Sequence, residues 1–94
     1  MLIELRKRAM NSMERTAEYV ESINTPGAGD RWLDKIKERI ILIANSKAKF
    51  VLCKHPSLAK FNYRCYTYND WVIAYRVSEN KFEVCRFIWG KRLG

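Results

Sequence analysis

The last third of the chain, Arg64 to Arg92 (RCYTYNDWVIAYRVSENKFEVCRFIWGKR), limits what this sequence can fold into more than any other stretch. Two runs within it, Trp71 to Val77 and Phe82 to Trp89, are dense in β-branched and aromatic residues, which suit a pleated, half-buried surface. Asn69-Asp70 precedes the first run and Ser78-Glu79-Asn80-Lys81 separates the two, so both are bounded by turn chemistry. Tyr63 to Tyr68 alternates well enough to add a third strand, joined through Asn69-Asp70 as a two-residue loop whose side chains tolerate positive φ. The expectation is an antiparallel three-strand meander, and such a sheet needs something apolar over one face.

The upstream half can supply that cover. Leu2 to Leu5 is long enough for an edge or central strand. From about Arg8 the period changes, with Met10, Met13, Ala17, Val20 and Ile23 at helical spacing and Glu14, Arg15, Glu18 and Glu21 on the other faces. Asn24-Thr25-Pro26-Gly27-Ala28-Gly29 cannot continue this helix, and Asp30 is the expected N-cap of a second one carrying Leu33, Ile36, Ile40 and Ile43 on one face. Both stripes read as ordinary core. Residues 45 to 62 are the least legible: Phe50-Val51-Leu52 reads as a short strand or a packed tether, and His55-Pro56 with Ser57 as a turn. The predicted class is α+β, in the order β-α-α-β-β-β, with an antiparallel sheet covered on one face by a two-helix hairpin, in a single domain over residues 1–94.

Continued through the two-residue turn, strand alternation puts Tyr66, Tyr68, Trp71, Ile73, Tyr75, Val77, Phe82, Val84 and Ile88 on one face with Arg64 and Arg86. Cys65, Thr67, Val72, Ala74, Arg76, Glu83, Cys85, Phe87 and Trp89 take the other. The first set is bulkier and more apolar, so it is assigned to the helices. Arg86 then becomes a partly buried cation that needs a carboxylate from the first helix, Glu14 or Glu18 being within reach. A bulge at Asn69-Asp70 would instead slip the register by one and bring Arg64 and Tyr66 to the open face, and the residues leave both registers open.

Ninety-four residues suffice for a core without metal or disulfide. An apolar fraction of 48% with no apolar run near ~18 residues favours a soluble globular chain over a membrane-spanning one. MLIELRKR does not read as a signal peptide, so a bacterial source would imply the cytoplasm. The net charge of +8 is uneven: residues 1–47 carry nine basic and seven acidic side chains, residues 48–94 nine and three. The sheet half therefore suits an acidic partner, nucleic acid or protein. Three cysteines, an odd count, are expected as reduced thiols. Ala74 would face both Cys65 and Cys85, leaving those two roughly 9 to 10 Å apart, too far for a disulfide and awkward for one metal, so neither metal nor cofactor is expected. His55, the only histidine, has no nucleophile or orienting acid at a telling position.

The order of elements, together with Arg64, WVIAYRV from Trp71 to Val77, and CRFIWGKR from Cys85 to Arg92, resembles the RelE/ParE superfamily of toxins from bacterial type II toxin-antitoxin systems. The likeness runs over essentially the whole chain. It implies one of two activities. RelE-like members cut mRNA on the ribosome by attack of a ribose 2′-hydroxyl on the adjacent phosphate, which needs a proton acceptor, a proton donor and cations around the developing charge. Arg64 and Arg92 match basic positions of that pattern. However, Val72 stands where those nucleases tend to carry arginine, and the sequence read here ends at Gly94 without the tail that often brings a tyrosine. ParE-like members resemble this chain in ending near the Gly-x-Arg element, and the resemblance implies inhibition of DNA gyrase by binding, without bond cleavage. That is the preferred reading, with Arg76, Trp89, Lys91 and Arg92 as candidate target contacts. RelE-like cleavage is the alternative, and a non-toxic basic nucleic-acid-binding module is a third. Either toxin activity implies a cognate antitoxin that wraps and assembles with the toxin, a role in plasmid stabilization or growth inhibition, and no membrane partner.

Overall fold

The computed structural model describes residues 2–46 and 51–92. Within them β2 (Arg64–Tyr68), β3 (Trp71–Ser78) and β4 (Lys81–Trp89) form the expected meander. Tyr68 pairs with Trp71 across the two-residue turn, where Asn69 sits at φ 53°, in the left-handed region that asparagine tolerates. β1 (Leu2–Leu5) takes the opposite edge, parallel to β4, so the strand order is β1-β4-β3-β2. Parallel neighbours need a long connection, and here it includes α1 (Lys7–Ile23) and α2 (Ala28–Asn45). Ala9 and Met13 from α1, with Ile36, Ile40, Ile43 and Ala44 from α2, pack on Ile73, Tyr75, Phe82, Val84 and Phe87 of the sheet. The α1 stripe is turned relative to expectation: Ala9 is buried, whereas Met10 and Ile23 are exposed. One residue is about 100° of helix, so burying Ala9 turns Met10 outward.

α2 starts earlier than its sequence suggests. Gly27, at φ 87°, occupies the N-cap, and Asp30 falls in the first turn rather than capping it. Capping comes instead from the end of α1, where the Glu21 carboxylate accepts the N–H groups of Gly27 and Gly29, each at 2.8 Å. The Gly27 bond first, then the Gly29 bond, hold the Glu21 carboxyl below the usual carboxylate range. The helices cross closely here. A Cβ built on Gly29 would lie 2.5 Å from the Ala17 carbonyl oxygen.

The main departure from simple alternation lies in β4. Ala74 pairs with Arg86 but Tyr75 pairs with Val84, which leaves Cys85 as an extra residue. Side chains reverse sides across this bulge. Phe82 and Val84 point to the helices before it and Phe87 after it; Phe87 stacks on Trp71 at 4.6 Å between centroids and meets Trp32 edge-on at 5.8 Å. Trp89, paired with Trp71, follows Phe87 to the helix side. Arg86 and Ile88 leave on the other side. The expected placement of all four is thereby inverted, and the alternative of a bulge at Asn69-Asp70 is not taken, since Tyr68 and Trp71 pair directly across the turn. Strict alternation would put a guanidinium under the helices, whereas the bulge puts Phe87 there.

The face expected to be open is partly roofed by the chain itself. Cys53, Leu58 and Ala74 form a second buried cluster with Tyr63, Cys65, Val72 and Ile88 against it. Leu58, only 1% exposed, comes from the short α3 (Pro56–Ala59), whose N-cap is His55: its Nδ1 accepts the Ser57 backbone N–H at 3.2 Å. Val51 to Cys53 runs antiparallel beside β2: Leu52 bridges Arg64, Cys53 N–H donates to the Tyr63 carbonyl at 2.9 Å, and Cys65 N–H to that of Val51 at 3.2 Å. Phe50, read with this strand, lies outside the described residues. The pairing brings Cys53 and Cys65 together as a disulfide with Cα atoms 4.9 Å apart, where reduced thiols were expected. Closing a loop between residues 12 apart in sequence contributes about 3 kcal/mol.

Two measurements test this packing. Ordinarily Gly→Ala in a helix gains up to ~1 kcal/mol, but Gly29→Ala must push α1 and α2 apart and should cost about 1–3 kcal/mol in urea unfolding. A gain in stability would refute the close crossing. Glu21 contributes stability that is complete above its unfolded pKa of about 4.3 and is lost as pH falls through the lower folded value. Glu21→Gln should therefore lower the unfolding midpoint at pH 7 and flatten its acid dependence; an unchanged profile would remove Glu21 as the cap.

Candidate functional site

The expected target residues do not converge on one surface. Arg76 lies on the open side near one end of β3, opposite Glu83. Trp89 pairs with Trp71 at the other end, five residues along, or about 16 Å at strand rise. The candidates thus divide into two cationic places on opposite faces.

The first is a groove beside Arg76, lined by Leu52, Phe61, Val77, Lys81 and Glu83, with Arg64 also lining it. Phe61 and Tyr63 stack at 5.3 Å between centroids. The Arg76 guanidinium lies 5.0 Å from the Tyr63 ring centroid and donates a 3.3 Å hydrogen bond to the Phe61 carbonyl oxygen, so the loop after α3 positions this cation. Leu52, Phe61 and Val77 are exposed, which gives the groove an apolar lining under a positive rim. Across β4 lies an ion-pair hub. Glu83, 8% exposed, meets Arg6 at 3.1 Å and Lys81 at 3.5 Å, and Lys81 also meets Glu4 at 2.6 Å. Burial pushes the Glu83 carboxyl up, but the Arg6 hydrogen bond and charge, Cys85 and Lys81 outweigh it and hold the group below its ordinary range. Because Glu4 and Glu83 are register partners, the two cations offset a like-charge pair that the parallel pairing would otherwise leave.

The second place is the C-terminal end of the sheet. Gly90–Arg92 forms a 3₁₀ turn anchored by the Gly90 N–H on the Asp70 carbonyl at 2.7 Å. A Cβ on Gly90 would lie 3.1 Å from that oxygen, a tight fit that favours glycine there. Trp89 is 41% exposed and the Lys91 ammonium lies 5.4 Å from its ring centroid; Lys91 and Arg92 are both exposed. An exposed indole with one cation over its ring and a second exposed cation in the next turn is suited to an acidic or aromatic contact.

The remaining residues singled out in the sequence have other settings. Arg64 pairs with Tyr75, on the helix side at the sheet edge. Burial raises the Tyr75 phenol to about 12, with the Arg64 charge opposing. Arg86 does not meet Glu14 or Glu18. Burial and then the charge of Arg8 lower its pKa while Tyr63 opposes them, and the two glutamates line a separate groove between α1 and α2. This correction follows from the bulge, which sends Arg86 away from the helices. Sequence reasoning missed Arg6, Lys81, Glu83 and the Phe61–Tyr63 pair. The alternation of Phe61 and Tyr63 with Lys60 and Arg64 was the available signal, since it extends the strand pattern backward into the loop. Among the described residues no group of three His, Cys, Asp or Glu side chains could hold a metal, and no helix is long and apolar enough to cross a membrane.

A four-strand sheet roofed by a helical hairpin, with two cationic places each beside aromatic rings, defines a small α+β protein. The model of the family described as the ParE toxin of type II toxin-antitoxin system, parDE, matches residues 3–93. The chain belongs to that family, and it is the toxin component of a type II toxin-antitoxin system, with a cognate antitoxin as its partner. Among solved structures it is similar to a chain of the chromosomal ParDE toxin-antitoxin system from P. aeruginosa, at 12% identity and a TM-score of 0.74 over 93% of this chain and 92% of that one. That likeness is one of fold. No curated protein matches the sequence.

The third cysteine, Cys85, is buried in the bulge, and burial, then Glu83, push its thiol up. A thiol-reactive dye should therefore label no cysteine in the native protein kept free of reductant and one after unfolding in urea. Three labelled thiols in unfolded, never-reduced protein would contradict the Cys53–Cys65 pairing.

Proposed function

We propose that this toxin acts on DNA gyrase by binding, without breaking a bond, and that its antitoxin covers the Arg76 groove. The observation that carries the first part is the setting of Val72. This position, where RelE-like nucleases tend to carry arginine, is a valine half-buried against the cluster of Cys53, Leu58 and Ala74, which supports a packing role for it rather than contact with an RNA. Membership of the ParE family supports the same reading. Trp89, Lys91 and Arg92 are the proposed target contacts, since they are exposed at the end of β4 and on the 3₁₀ turn that follows it. Arg76, on the other face, is assigned to the antitoxin: its groove combines exposed apolar side chains with cations, which suits an acidic amphipathic segment. The site of action is the cytoplasm, where gyrase works.

Purified toxin should block negative supercoiling by gyrase and leave mRNA intact in a translating extract. Fragmented mRNA with normal supercoiling would replace this reading with RelE-like cleavage. Arg92→Ala should weaken gyrase inhibition about 10-fold or more with an unchanged circular dichroism spectrum, while Arg76→Ala should leave inhibition intact and weaken antitoxin binding. The reverse pattern would exchange the two surfaces.

A further inference from the structure

The cysteine pair sits where it can control the Arg76 groove. Cys53 and Cys65 close the ends of the segment that contains α3, Phe61 and Tyr63, and this segment makes both contacts that orient Arg76. Among the described residues, the segment is otherwise held by Leu58 in a cluster of three buried residues with Tyr63 against it, by the two Arg76 contacts and by the backbone bonds around a single β-bridge. Such a short anchorage belongs to the part of a fold that opens first. In a reducing compartment a disulfide is seldom a permanent staple, and where one exists it is usually transient and redox-sensing.

We propose that Cys53 and Cys65 form a reversible thiol–disulfide latch that sets the order of the loop at 53–65 and, through it, the position of Arg76 and the shape of its groove. A reducing setting for this pair follows from the cytoplasmic site of action proposed above; the latch itself follows from the geometry of the loop. Closing needs a low-molecular-weight disulfide of the glutathione class as oxidant. Cys65, the more exposed of the two, attacks it as thiolate, forming a mixed disulfide and releasing one thiolate; Cys53 then attacks the Cys65 sulfur, releasing the second. Two electrons pass to the oxidant, which leaves as two thiols carrying the two protons lost by the cysteines. Opening reverses these steps with two such thiols. Cys85 stays outside the exchange because its sulfur is buried in the bulge beside the Glu83 side chain, 3.6 Å from Oε1.

Lys54 and Lys60 are exposed within the latched segment and provide trypsin sites that report its opening. Limited trypsin digestion of the full chain, followed by mass spectrometry, would compare the protein oxidised with glutathione disulfide against the same protein reduced with a phosphine. Reduction should speed cleavage after Lys54 and Lys60 by tens of times, up to about 100-fold if loop closure is fully released, with little change after lysines of α2. Cys65→Ser and Cys53→Ser should match the reduced form in either buffer. Equal cleavage in both redox states would overturn the latch, as would a reduced protein whose α2 sites open equally, which would make the disulfide a global staple. Because the digestion involves neither gyrase nor antitoxin, the failure of the functional reading would leave this result standing. A change in antitoxin affinity between the two redox states, absent in Cys65→Ser, would tie the latch to the groove.

Discussion

One extra residue in β4 decides what each face of this protein is. Without the bulge at Cys85, the alternation that buries Phe82 and Val84 would carry Arg86 and Ile88 beneath the helices and expel Phe87 and Trp89. With it, Phe87 completes an aromatic group with Trp32 and Trp71 in the main core, while Ile88 joins the second cluster on the other face. The guanidinium of Arg86 also avoids a site where desolvation would demand a carboxylate. Both cores and the separation of the two cationic places follow from this slip in pairing.

The parallel edge depends on a second balance. β1 sets Glu4 beside Glu83, a repulsive register that persists because Lys81 reaches both carboxylates and Arg6 reaches Glu83. Exposed ion pairs contribute little to stability, but here they also fix which residues of β1 face the core, and a slip of one residue would turn Ile3 and Leu5 away from it. The same hub borders the Arg76 groove, so the group that anchors the sheet edge also shapes the charge near the proposed antitoxin surface.

The two faces are stabilised differently, which bears on function. The helix side holds a large, continuous apolar cluster. The other holds, among the described residues, a small cluster of three buried residues under a four-residue helix and a covalent link. A face with so thin an anchorage is the one a partner can reshape, and the C-terminal 3₁₀ turn, tied to the paired ends of β3 and β4 by the Gly90–Asp70 hydrogen bond, is better suited to present a fixed contact.

Much of this was legible in the residues themselves. Strand and turn chemistry in Arg64 to Trp89 determined the meander and its Asn69-Asp70 turn, and helical spacing determined the hairpin, because local periodicity reflects which side chains must leave water. The family could be read from the same elements and from the cationic C-terminal motif. The bulge at Cys85, the capping of α2 by Glu21 and the meeting of Cys53 with Cys65 were decided only by the tertiary structure. Each depends on segments distant in sequence competing for the same space, and no local pattern records that competition.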